Sequence, residues 1–325
     1  MDGFITIGAN LGGATKPTGS AMAPAIVSTV APQQQTIKTA ISCTGVGLHS
    51  GRQVNVTLAP AAANTGIIFR RTDLGAAIPA RFDLVCDTRF CTVLGLADPP
   101  EARVSTIEHL MAALAASGVA NLFIDVDGPE LPVLDGSAEP WSFLLECAGV
   151  ADLDAPARVI EVLRPVRVED GAAFAELRPS AAGCLELSLA IDFPAAAIGR
   201  QALTLNLCGG SFREVARART FTQLHEIEGL RAAGLAKGGT LDNAVVVDGA
   251  RVLNPSGLRM ADEFVRHKLL DAVGDLALAG RLRGRFVGYR SGHGLNNRVL
   301  RALFAEPSNW RLVGGDGFGW MQDAA

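Results

Sequence analysis

A two-domain α+β protein is the fold class that this 325-residue sequence predicts, on three observations. The chain is longer than one ordinary hydrophobic core serves, which is about 100 to 200 residues. Segments with strand-like alternation are interleaved with helical apolar patterns in both halves. Around Gly149 to Ala157, a short stretch holding Gly, Asp and Pro separates an apolar helix from a strand pattern that begins near Val159. The expected domains are residues 35–152 and 157–325. Residues 1–34 are rich in Gly, Ala, Thr, Pro and Gln and show no sustained period, so a disordered tail is expected there.

Among the elements, Gln53–Leu58 alternates as a strand, and Asn121–Val126 reads as another, buried in part on both faces. Ile107, Leu110, Met111 and Leu114 share one helical face, which puts Glu108 and His109 in the first turn of a helix. A long apolar helix spans Asp262–Leu276, bounded later by Gly280, and Arg285–Tyr289 reads as a strand. Ile107–Leu114 and Val265–Ala272 echo each other, each with a histidine in a similar helical pattern. If the halves share a fold, the two histidines could meet at a cleft between them.

Composition narrows the function classes. A hydrophobic fraction of 49% with a net charge of −4 describes a chain that buries large cores. Lys and Arg (29) nearly balance Asp and Glu (33) with no long basic run, so a nucleic-acid partner is not expected, whereas a small anionic ligand is allowed. Cys43, Cys86, Cys91, Cys147, Cys184 and Cys208 form no CxxC pair, and reduced thiols in a cytoplasmic protein are the expectation. The start Met1-Asp2-Gly3-Phe4 has no basic n-region, and no stretch offers about 18 uninterrupted apolar residues. Neither export nor membrane insertion is expected, and no obligatory protein partner is indicated.

Three constellations carry chemistry. In Ser105-Thr-Ile-Glu-His109 the spacing of Ser105 and Glu108 is that of a capping box, and the same glutamate beside a histidine is a candidate base beside a metal ligand. On the long helix His267, Asp271 and Asp275 fall at i, i+4 and i+8, either as a solvated face or as a stripe able to bind a divalent ion. In Ser291-Gly-His-Gly-Leu-Asn-Asn297 the glycines flanking His293 admit close approach of a ligand, or form only a turn. His225 fits no motif. Two histidines and an aspartate make a plausible catalytic zinc triad with a fourth position open, a hydrolase template that does not itself choose peptide, ester or sugar amide.

At these residues the chain resembles the zinc-dependent UDP-3-O-acyl-N-acetylglucosamine deacetylases. The resemblance runs from about Thr36 to Leu303, through Thr44-Gly-Val-Gly-Leu-His-Ser-Gly51, Asn64–Asp73, Ser105–His109, Leu134-Asp-Gly-Ser137, Ala218-Arg-Thr-Phe221, Val265–Asp271 and Ser291–Asn297. It implies two domains, each with a β-α-α-β core of sheet packed on helices, and small inserts around a site between them. It also implies one zinc ion held by His109, His267 and Asp271, with Glu108 as general base. The Thr220 hydroxyl would polarise the acetamide carbonyl, and His293, charged and oriented by Asp275, would stabilise the oxyanion and protonate the amine. The family admits Glu108 alone, or Glu108 with His293, as the handler of both proton transfers. Lys268 would face the substrate diphosphate and Phe221 the sugar, while His49 matches a loop position facing the site. The segment from about Leu224 to Val247, with Ile227 and Gly239, would form the passage for the 3-O-acyl chain.

The chain departs from the family in a longer segment before Gln35, and in an Asp275–His293 interval one residue shorter than in some relatives. Three other readings stand beside this one: a zinc amidase for another acetylated sugar or peptide, a silent nucleotide-sugar binding module with a structural zinc, and a protein without metal in which Glu108 is only a helix cap. Structural sites normally close with four protein ligands, and three candidates are visible.

Overall fold

The chain opens with Gln33–Ile37 (β1), Ile41–Val46 (β2), Gln53–Pro60 (β3), Ile67–Arg71 (β4) and Ala76–Pro79 (β5). Short strands Val85–Asp87 (β6), Val93–Gly95 (β7) and Arg103–Val104 (β8) lead into helix Glu108–Ser117 (α1), then Leu122–Val126 (β9), Glu139–Ala148 (α2) and Val150–Pro156 (β10). This is a computed structural model, and it describes residues 32–208 and 211–314. Most of the tail expected over 1–34 lies outside the described residues; Gln33 and Gln34 already belong to β1. One sheet runs β2-β3-β9-β4-β5, antiparallel except where β4 and β9 run together. The expected boundary stretch is itself a strand, because β10 pairs with β1 from Gln33↔Pro156 to Ile37↔Val150.

The second half continues with Val159–Val162 (β11), Val166–Asp170 (β12), Ala173–Arg178 (β13), Leu185–Asp192 (β14) and Arg200–Asn206 (β15). Arg213–Ala216 (α3), Phe221–Gln223 (β16), Leu224–Ala232 (α4), Val245–Asp248 (β17) and Arg251–Val252 (β18) follow. Glu263–Leu276 (α5), Arg281–Tyr289 (β19), His293–Phe304 (α6) and Trp310–Val313 (β20) complete it. In the larger sheet β12-β13-β19-β11-β20 are neighbours, and β14 joins at β19 and carries β15. Helix, strand, helix, strand recurs as α1-β9-α2-β10 and α5-β19-α6-β20, so the echo between the two histidine-bearing helices extends to the elements after them.

Every residue of α1 from Glu108 to Leu114 is buried, as are nearly all of α5, so only the last turn of α1, at Ala115 and Ala116, reaches solvent. They pack on each other inside one apolar cluster that takes in Phe69, Ile124, Leu110, Leu269 and Phe286. Gly118, at φ 78°, stops α1 in the left-handed conformation that a side chain disfavours. Gly274 sets the approach of α5 to α1: a Cβ there would overlap the Glu108 carbonyl oxygen and come within 2.7 Å of its carbon. Gly274→Ala is therefore expected to cost about 3 kcal/mol or more, as overpacking without room to relax does. A fall of several degrees in the melting midpoint, together with loss of the site that Glu108 helps build, checks this.

Cys184 and Cys208 form a disulfide, against the expectation of six reduced thiols. Glu186 lies opposite Asn206 in the β14/β15 ladder, and the same register continued two residues places the cysteines opposite each other, Cα atoms 5.9 Å apart. Cys43, Cys86, Cys91 and Cys147 are free. Among the described residues, no helix is long and apolar enough to cross a membrane.

Candidate active site

Packing of α1 on α5 brings the rings of His109 and His267 edge to face, 5.0 Å between centroids. Asp271, one turn after His267, places Oδ1 3.3 Å from His267 Nε2 and 3.7 Å from His109 Nε2. One donor atom from each of the three lies within 4.8 Å of the others, and all three residues are buried, so together they could hold a metal ion. Asp271 Oδ1 has no hydrogen-bond partner, and a buried carboxylate oxygen left bare is costly unless something binds it. His267 Nδ1 lies 3.0 Å from the Ala218 carbonyl, which assigns it the proton and leaves the Nε2 lone pair facing Asp271 and His109. Burial lowers the pKa of both imidazoles, that of His109 to about 3, with help from His267 beside it. Neutral rings and an ionised carboxylate are the protonation states that metal ligation needs. Burial works against the Asp271 carboxylate, but the Lys268 ammonium, 2.6 Å from Oδ2, and the His293 charge outweigh it and hold its carboxyl well below the usual range. A solvated helix face, the alternative left open by the spacing, is excluded, since His267, Asp271 and Asp275 are all buried.

The capping box is likewise absent. Helix α1 has no side-chain cap; the Ser105 hydroxyl donates to the Pro129 carbonyl at 3.0 Å. Glu108 instead turns inward, where Oε2 accepts the Thr92 N–H at 3.0 Å and Oε1 lies 4.0 Å from His293 Nε2. Burial pushes the Glu108 carboxyl up to about 7, against the pull of the His293 charge. Burial works against the His293 imidazolium too, but Asp275, with Oδ2 2.9 Å from Nδ1, and Glu108 beyond it raise the pKa to about 9. Two neighbouring titratable groups with pKa values set apart by their surroundings are the arrangement expected of an acid and a base.

These groups face a cavity of about 190 Å³. Glu108, His109, His267, Asp271 and His293 line it together with Thr220, Phe221, Lys268 and His49. Phe221 stands edge-on to His267 at 6.2 Å and to Phe264 at 5.0 Å, so its ring is braced from α5. Both ring nitrogens of His49 are buried without a partner. Asp275 stands behind His293 rather than on the wall, and Ile227 and Gly239 are not among the lining residues. Gly239 is close to the wall through Leu48, with an added Cβ 3.5 Å from Leu48 Cδ1, and Ile227 is half-buried on α4. His225 is exposed on α4 and does not line the cavity. Two residues given no role from the sequence belong to the site: Thr92, outside every motif, and Asn296, within Ser291–Asn297, whose amide donates to Asp275 Oδ2 at 2.9 Å.

A family profile described as UDP-3-O-acyl N-acetylglycosamine deacetylase (LpxC) matches residues 34–305. The chain belongs to this deacetylase family. Among curated relatives named UDP-3-O-acyl-N-acetylglucosamine deacetylase, that of Phenylobacterium zucineum is 51% identical over 284 residues, covering 86% of this chain and 96% of the relative. Those of Shewanella loihica and Acidithiobacillus ferrooxidans are 48% and 47% identical, each over 86% of this chain and 92% and 93% of their own. The span matched to the deacetylase family encloses the whole site, from His49 to Asn296.

Proposed function

We propose that this chain hydrolyses the N-acetyl group of UDP-3-O-acyl-N-acetylglucosamine, releasing acetate and the free amine, as an early step of lipid A biosynthesis in the cytoplasm. The observation that carries the reading is a buried His109–His267–Asp271 donor set flanked on one cavity by Glu108 and His293, in a chain of the deacetylase family. The cofactor is one zinc ion, suited to two imidazoles and a carboxylate with a position left open. When bound, zinc polarises the acetamide carbonyl and makes water available for attack near neutral pH.

The chain's own residues do the rest. Glu108, with its carboxyl raised to about 7, takes the proton of the attacking water. His293, kept charged by Asp275, lies against the developing negative charge and gives its proton to the departing amine. The Thr220 hydroxyl donates to the same oxygen. Lys268 meets the diphosphate, Phe221 and His49 border the sugar, and the α4 segment with Ile227 and Gly239 guides the acyl chain. Residues 35–152 and 157–325 act as two domains around the site. The site uses neither cysteine of the Cys184–Cys208 pair, so a reducing cytoplasm leaves its groups unchanged.

Metal analysis of the purified protein coupled to acetate release tests the reading. About one zinc per chain, loss of turnover with a chelator and recovery on zinc addition are expected. Full turnover in metal-free protein, or equal turnover on acetylated sugars lacking the nucleotide and acyl chain, would overturn it.

A further inference from the structure

Thr92, between the Arg89–Cys91 bend and β7, touches both Glu108 and Asp275, the partner of His293. Its side chain is buried and both of its donors are used: the backbone N–H binds Glu108 Oε2 at 3.0 Å, and the hydroxyl binds Asp275 Oδ1 at 2.6 Å. Asp275 therefore holds three donors, Thr92 on Oδ1 and His293 Nδ1 and Asn296 Nδ2 on Oδ2, each of the latter at 2.9 Å. An ionised carboxylate only accepts, so these donors fix its plane and decide which oxygen faces the imidazole. Without the hydroxyl, Oδ1 would be a buried, unpaired, charged oxygen, and rotation about Cβ–Cγ would relieve it at the expense of the His293 bond. His293 carries little else to hold it: its other nitrogen, Nε2, is 4.0 Å from Glu108 Oε1, beyond hydrogen-bond reach.

We infer that Thr92 is a positioning residue for the deacetylation: its hydroxyl orients Asp275 so that His293 presents Nε2 to the substrate, while its N–H fixes the Glu108 carboxylate beside it. The inference rests on the roles proposed for Glu108 and His293. Thr92 does not line the cavity, so it acts through these groups and not by touching substrate. Placement between the Arg89–Cys91 bend and β7 also makes this connection part of the site, since Thr92 ties α1 to the end of α5.

Thr92→Val removes the hydroxyl, keeps the volume and leaves the backbone N–H in place. The expected result is a kcat lowered about tenfold to a hundredfold, the loss that follows removal of a hydrogen bond to a charged group. KM and zinc per chain should stay near those of the unaltered protein, and the melting midpoint should fall by only a few degrees, the cost of one buried hydrogen bond to a charged group. Thr92→Ser restores the hydroxyl and should recover most of the turnover. Because Thr92 acts through Asp275, the double variant with Asp275→Asn should be little worse than Asp275→Asn alone. In the proton NMR spectrum, the far-downfield His293 Nδ1–H resonance should move or broaden in Thr92→Val and return in Thr92→Ser. Unchanged kcat in Thr92→Val, losses that multiply in the double variant, or a resonance indifferent to residue 92 would overturn the inference. Should the unaltered protein release no acetate, it is the proposed function that fails, and the resonance alone then decides the role of Thr92.

Discussion

Glu108→Gln is expected to lower turnover by about 10²- to 10⁴-fold, the usual contribution of a positioned base, while zinc stays bound. Gln keeps the shape and an oxygen able to accept the Thr92 N–H, so the start of α1 and its packing against Gly274 should survive. What it removes is the ability to take a proton. Ala at His109, His267 or Asp271 should act differently, emptying the site of metal and reducing turnover by about three orders of magnitude or more, since the metal's stabilisation of charge is worth several kcal/mol. Asp271→Ala also strips Lys268 of its 2.6 Å partner, so some of its effect will be electrostatic and its melting midpoint should fall most. Zinc content and kcat measured side by side on the four variants separate the roles. Metal lost equally from all four would make Glu108 a ligand.

The parts of this site legible in the sequence are those set by local periodicity. Helical spacing puts Glu108 and His109 in the first turn of α1 and aligns His267, Asp271 and Asp275 on α5, and both placements hold in the structure. Periodicity does not say what a polar stripe faces. Solvent and a buried partner helix give the same pattern at three residues, and only the tight approach at Gly274 makes the stripe internal. Ser105 and Glu108 likewise have capping-box spacing whether or not they cap; the N–H of Thr92, 16 residues upstream, draws the glutamate inward. Thr92 and Asp275 are 183 residues apart, joined by the fold alone and marked by no motif. Cys184 and Cys208 were illegible for a related reason, since their pairing depends on the hairpin register of β14 and β15 and not on a cysteine spacing. Gly, Asp and Pro over residues 149–157 suit a turn, yet β1 provides an edge that recruits Val150–Pro156 as a strand.

The charge on His293 should set the basic limb of a bell-shaped pH profile. Its pKa is raised to about 9, so the imidazolium is present at neutral pH and turnover is lost as pH rises through that value. The acidic limb belongs to Glu108, which must be ionised; its value of about 7 applies without a metal, and a divalent cation beside it would move that limb lower. Asp275→Asn removes the nearest negative charge but keeps the shape. Burial, which disfavours the imidazolium and is offset by Asp275 and Glu108, then has less opposition, so the pKa of His293 falls and the basic limb moves toward lower pH. Hydrogen bonding survives the change, because the Asn oxygen can face His293 Nδ1 while its amide donates to the Thr92 hydroxyl, which can accept as well as donate. Lys268 acts on His293 in the same direction as burial, and is untouched by the substitution. Turnover at neutral pH should drop about tenfold to a hundredfold, within the range that a general acid supplies, with zinc content unchanged. A basic limb that stays in place in Asp275→Asn and shifts only when His109, His267 or Asp271 is replaced would assign that limb to the metal site and remove His293 from the role of acid.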